Sequence, residues 1–169
     1  TRSLDTYDVK VDGSYHHYFE WAYRVDTPQG IEELGEYKLT YNEKLEKVEI
    51  LEAYTLQADG TRIDVPADKI RKQDGDGGQE YSDNKALVVI YSKVAVGSTV
   101  YIRARTHQHT PIFPGHFVVS QFFSPHCAFD DAEMRISAEA GVKLRFDLDR
   151  TSGGQVEPLP EDAPGTTRY

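Results

Sequence analysis

From Ala86 to Tyr91 the chain runs apolar without a break and is β-branched in its middle. Between polar flanks, that run is too short for a helix and suits a strand covered on both faces. Beyond Gly97-Ser98 the pattern changes, and Val100, Ile102, Ala104 and Thr106 alternate with Tyr101, Arg103, Arg105 and His107. Period-two alternation gives a strand one dry face and one wet face. Together the two segments predict a hairpin at the centre of an all-β domain.

Upstream, Leu4 to Val11 alternates, with Tyr7, Val9 and Val11 on one face, and Asp12-Gly13 signals a turn. A long strand follows to Asp26, with Tyr15, His17, Phe19, Trp21, Tyr23 and Val25 at its odd positions. A two-residue turn would set odd positions against even ones and mix the faces. A loop of Val11 to Gly13, with Gly13 left-handed beside a bulge, keeps odd opposite odd. Thr27-Pro28-Gln29-Gly30 reads as a turn, and Ile31 to Gly35 as no more than a poorly capped helical turn.

Further strands are expected at Glu36 to Asn42, Lys47 to Ala58, Arg62 to Val65, Phe117 to Phe123, Glu133 to Ala138 and Val142 to Leu148. Asp59-Gly60, Pro66 and Ser124-Pro125 punctuate them. In the last two strands Met134, Ile136, Val142, Leu144, Phe146 and Leu148 face inward. Lys72 to Gln79 reads as a mobile, acidic, Gly-rich surface loop, and His109 to His116 as a connection broken by Pro and Gly. The expected architecture is an antiparallel β-sandwich of roughly eight to ten strands with little helix, spanning 1–150. Residues 151–169 read as a linker or the start of a truncated further strand.

Composition supports sheet. Eleven Tyr, seven Phe and one Trp favour pleated, half-buried surfaces. The net charge of −9 opposes nucleic acid and anionic lipid. A lone cysteine, Cys127, forms no internal disulfide, so the fold relies on its core, in the cytoplasm or outside it. No run approaches the ~20 apolar residues of a membrane-spanning helix.

Four constellations carry candidate chemistry. His107 and His109, two apart on a strand, share a face on which His116 or Glu133 would complete a metal site. Two surface histidines at a strand end are the favoured alternative, and no cofactor is expected. Cys127 adjoins His126, but neighbours on an extended chain point to opposite faces, which favours a small buried thiol over a nucleophile. Asp74, Asp76, Glu80 and Asp83 gather near glycines without EF-hand spacing, so a solvated acidic loop is preferred to a calcium site. The strip of Tyr101, Arg103, Arg105 and His107 offers stacking and hydrogen bonds to a peptide or glycan, set against an ordinary wet sheet face.

The order of "ILEAYTLQADGTRIDVP", "YSDNKALVVIYSKVAVGSTVYIRA", "PIFPGHFVVSQFF" and "MRISAEAGVKLRFDL" resembles a bacterial domain of unknown function. That domain precedes transglutaminase-like domains in larger, usually exported proteins, and the resemblance runs from Tyr7 to Leu148. It implies a β-sandwich with no established activity, periplasmic or extracellular placement, and a neighbouring domain whose catalytic Cys, His and Asp lie beyond Tyr169. "GTTRY" would then begin a truncated strand. The expected role is a non-catalytic accessory module that positions a downstream catalytic domain. An independent binding module on the Tyr101 strip, or a metal-dependent enzyme at His107 and His109, are the alternatives.

Overall fold

Alternation and turn chemistry build ten strands among the described residues of the computed structural model, which are 1–75, 83–122, 128–145 and 166–168. In chain order these are β1 (Arg2–Val9), β2 (Tyr15–Arg24), β3 (Glu36–Asn42), β4 (Glu46–Leu56) and β5 (Arg62–Asp64). They continue as β6 (Ile70–Asp74), β7 (Asn84–Ile90), β8 (Thr99–Gln108), β9 (Asp131–Glu139) and β10 (Thr166–Arg168). One helix, α1 (Pro28–Leu34), and a 3-10 turn at Ala67–Lys69 complete the elements. A seven-stranded sheet in the order β10-β9-β1-β2-β8-β4-β5 faces a three-stranded sheet in the order β3-β7-β6. Every ladder is antiparallel except β1 with β9. The β-sandwich expectation holds.

Between the sheets, Phe19, Ala53, Val100, Ile102 and Ala104 of the large sheet close on Val89 and Tyr91, with Tyr37, Leu39 and Ile70 packed around them. A second core lies under β1 and β9, where Tyr7, Val9, Ile136 and Ala138 are buried. Its cover is Phe117, Val119, Val142 and Leu144. The large sheet is therefore roofed partly by a sheet and partly by irregular chain.

The β1–β2 connection follows the predicted three-residue loop. Lys10 N–H donates to Ser14 O at 2.8 Å, Gly13 has φ +90°, and Tyr7 pairs with His17. A Cβ on Gly13 would stand 2.7 Å from the His116 carbonyl oxygen, so only glycine lets the following loop lie here. Val11 sits in the loop and is 59% exposed, rather than sharing the Tyr7–Val9 face.

Other expectations need correction. Ala86 to Tyr91 and Val100 to Thr106 do not form a hairpin: β7 is the centre of the small sheet and β8 lies in the large one. The link of residues 91–98 is tied to β2 instead, through Val25 N–H to Ser98 O and Gly97 N–H to Val25 O. Thr27 to Gly30 is not a free turn. Extended Thr27 caps α1, its Oγ1 accepting from Gly30 N–H at 3.1 Å, and Pro28 occupies the first turn, where its missing N–H leaves no unmet bond. Lys72 to Asp74, expected as loop, pairs with β7. Among the described residues, 117–122 alternate in burial but join no ladder, and 142–145 likewise pack without forming a strand. Phe146 and Leu148 lie outside the described residues.

β4 carries a bulge. Ile50 pairs with Ala104 and Glu52 with Arg103, leaving Leu51 unpaired. Val48 and Ile50 face inward before it; Ala53 and Thr55 do so after it.

Thr55 is fully buried and its hydroxyl has no hydrogen-bond partner among the described residues. Replacing it with the isosteric valine removes an unmet polar group. Thr55→Val is expected to raise the unfolding free energy by about 1 kcal/mol in urea denaturation.

Candidate functional site

On the outer face of the large sheet, strand register arranges even positions of β1 and β2 and odd positions of β8 and β9 into cross-strand rows. One row runs Ser137, Asp8, His16, His107, Lys47, and the next Arg135, Thr6, Tyr18, Arg105, Glu49. Then come Glu133, Leu4, Glu20, Arg103, Glu52, and finally Asp131, Arg2, Ala22, Tyr101, Tyr54. All four expected strip residues therefore share this face, but their neighbours engage them. Arg105 donates to Glu49 through Nε at 2.8 Å, and Arg103 Nη2 lies 3.0 Å from Glu52. Glu52 also meets Arg62 at 2.8 Å. The β4 bulge is what brings both glutamates, three positions apart, onto this face.

His107 is stacked on His16 at 4.0 Å, with His109 at 5.9 Å in an edge-on arrangement. The His109 ring meets the Thr110 hydroxyl at 3.0 Å. Face-to-face rings do not present their nitrogens to one ion, and no group of three or more metal-ligating side chains gathers among the described residues. Nothing here supports the metal-dependent alternative. Cys127, His126, Asp76 and Glu80 lie outside the described residues.

At the opposite end of the strip, Tyr101 and Tyr54 stack at 4.5 Å with planes 20° apart, and the Arg62 guanidinium covers Tyr54 at 4.0 Å. Burial, then the charge and hydrogen bond of Glu20, push the Tyr101 hydroxyl up to about 12. Beside this pair the small side chain of Ala22 leaves a trough of about 350 Å³, walled also by Arg2, Leu4 and Glu20. The expected strip omitted Glu20, Ala22, Tyr54, Glu49 and Glu52. Period-two reading of β2 alone puts Glu20 and Ala22 on the wet face, but only the strand order sets them beside Tyr101.

Among the described residues, Asp5 is the one strongly buried carboxylate of the inner face, at 2% exposure. Ser3 Oγ donates to it at 3.0 Å, Trp21 Nε1 donates at 3.2 Å, and His17 Nε2 lies 2.8 Å away. Tyr7 stacks flat on His17 at 4.1 Å. Serine and histidine both bond the aspartate rather than each other, so the group lacks the relay of a hydrolytic triad. It ties β1 to β2 where the two cores meet.

Residues 11–169 match DUF3857, a domain of unknown function with solved structure. The chain belongs to the DUF3857 family. No curated protein matches it. Its fold is similar to that of a putative protease from Parabacteroides distasonis, with TM-score 0.79 and 19% identity, covering 99% of this chain and 33% of that one. This DUF3857 domain thus spans a third of that longer chain. Family 3a carbohydrate-binding modules from the Clostridium thermocellum scaffoldin match less well. One has TM-score 0.36 and 11% identity over 72% of this chain and 76% of that one, a likeness too distant to bear on ligand.

The histidine stack gives this DUF3857 domain a pH response. Burial first, then His16, His109 and Lys47, hold His107 below its ordinary 6.5. Just below pH 6.5 the unfolded chain therefore binds more protons than the folded one, and stability falls as pH drops through that value. Carboxylates held low by their partners, such as Glu43 and Asp74, lose their contribution only below their ordinary 4.5 and 3.8. Urea midpoints measured between neutral and mildly acid pH should decline, and His107→Gln should flatten that decline.

Proposed function

We propose that this DUF3857 domain is a non-catalytic accessory module of a longer, exported polypeptide, and that it positions a downstream transglutaminase-like catalytic domain. The observation that carries this reading is a set of large apolar side chains left in water on the β1–β2 loop and on the segment that follows β8. Val11 is 59% exposed, Ile112 and Phe113 67%, Val118 78% and Phe122 86%. They sit on the β1–β2 loop and on the segment pinned to it by Gly115 N–H donating to Asp12 O at 2.7 Å. Groupings of large apolar side chains in water mark contact surfaces. Residues 117–122 also join no ladder with the described residues.

The occupant of this surface is a neighbouring domain of the same polypeptide. In the Parabacteroides protein the same fold fills a third of the chain, so such a domain has a neighbour to meet. On the outer face the arginines of β8 are held by glutamates of β4, which suits a scaffold.

Hydrogen exchange of the isolated domain and of the full gene product tests this. Amides of residues 110–122 should exchange about tenfold more slowly in the longer protein. Unchanged exchange there overturns the docking surface, and a downstream sequence without a Cys, His and Asp set overturns the catalytic half.

A further inference from the structure

We propose that the trough above Ala22 is a saccharide-binding site, taking one pyranose ring against the open face of Tyr101. This site lies at the end of the large sheet away from the apolar surface and does not depend on it. The row Arg2, Ala22, Tyr101, Tyr54 crosses β1, β2, β8 and β4, and Ala22 is its one short side chain. Long neighbours on both sides of a methyl group leave the depression of about 350 Å³. That volume falls at the small end of the roughly 300–1,000 Å³ of small-molecule sites, which suits one or two sugar rings.

The platform is braced before any ligand arrives. Tyr54 covers one face of Tyr101 at 4.5 Å, and Arg62 covers the far side of Tyr54 at 4.0 Å. The remaining face of Tyr101 looks over Ala22 into the trough. A ring fixed on one side loses little freedom on binding. A pyranose presents an apolar C–H face to such a surface and turns its hydroxyls outward to the rim.

The rim supplies their partners. The carboxylate of Glu20 lines the trough beside Tyr101, forms no ion pair among the described residues, and keeps acceptor capacity for sugar hydroxyls. Arg2, only 3.4 Å from Asp131 with both side chains exposed, has donors to spare. Arg135 is already held by Glu133 at 2.9 Å. Two basic and three acidic side chains line the trough, a balance of −1 that gives a phosphate or sulfate no pocket of positive charge. A neutral polyol fits that balance.

Saturation-transfer NMR with cellotetraose and chitotetraose as probes tests the proposal on the intact domain. Transfer to ring C–H protons at millimolar ligand is expected. It should weaken at least about tenfold in Tyr101→Ala and in Ala22→Leu, which fills the depression from an outer-face position. Thermal unfolding of Ala22→Leu close to that of the parent separates a blocked site from a lost fold. Absence of transfer from both probes overturns the proposal, as does transfer that survives Ala22→Leu. A lysine-rich peptide that binds the trough while both sugars fail also overturns it.

Discussion

A strand that lines a core along its whole length cannot change which side chains face inward unless a residue is added, and β4 makes that change at Leu51. Ahead of it Val48 and Ile50 oppose Thr106 and Ala104; behind it Ala53 and Thr55 oppose Ile102 and Val100. Setting the extra residue outside the ladder keeps apolar side chains on the inner face through both halves. It also sets Glu49 against Arg105 and Glu52 against Arg103, with Tyr54 next to Tyr101. Interior packing, the outer ion pairs and the braced tyrosine platform thus all depend on one register shift. The ion pairs are exposed and add little stability by themselves, but they fix long side chains on a face that would otherwise be mobile.

The second constraint lies under β1. Its inner positions read Ser3, Asp5, Tyr7 and Val9, polar at one end and apolar at the other. Asp5 is buried, so it needs partners, and β2 provides His17 and Trp21 at positions that register makes adjacent. Tyr7 and Val9 then anchor the second core, covered by Phe117, Val119, Val142 and Leu144. Because these covering segments form no ladder, they follow the core beneath them and leave Val118 and Phe122 in water.

Much of the fold was legible because alternation is local. The faces of β2 and β8, the odd-on-odd loop at Gly13 and the inward Met134 and Ile136 follow from period two and turn chemistry alone. Strand partners were not legible, since Ala86 to Tyr91 reads the same whether it pairs with β8 or faces it across the core. The β4 bulge left a trace, with inward residues moving from even to odd after Ile50, and Glu49 and Glu52 three apart instead of two. Thr27 carried its own signal as a cap residue before Pro28. At the outer face, Tyr101 and its arginines could be placed on one side from β8 alone. Glu20, Ala22 and Tyr54 come from other strands, so only the sheet order gathers them. The segment after Phe117 misled because alternating burial records what lies beneath a chain, not what lies beside it.

Deletion of Leu51 tests the register claim most directly. By itself it leaves Ile50 against Ala104 and Glu52 against Arg103 in unbroken alternation, whereas removing Glu52 as well forces one half of β4 to turn, sending either Lys47 and Glu49 or Tyr54 toward the core. An unpaired buried charge costs about 3–5 kcal/mol, a large part of the roughly 5–15 kcal/mol that holds a domain together. In guanidinium denaturation the Leu51 deletion, at a side chain 40% exposed, should unfold near the parent, while the deletion of Leu51 with Glu52 should lose its cooperative transition. A Leu51 deletion that loses its transition, or a double deletion that unfolds at the parent's midpoint, would contradict the account.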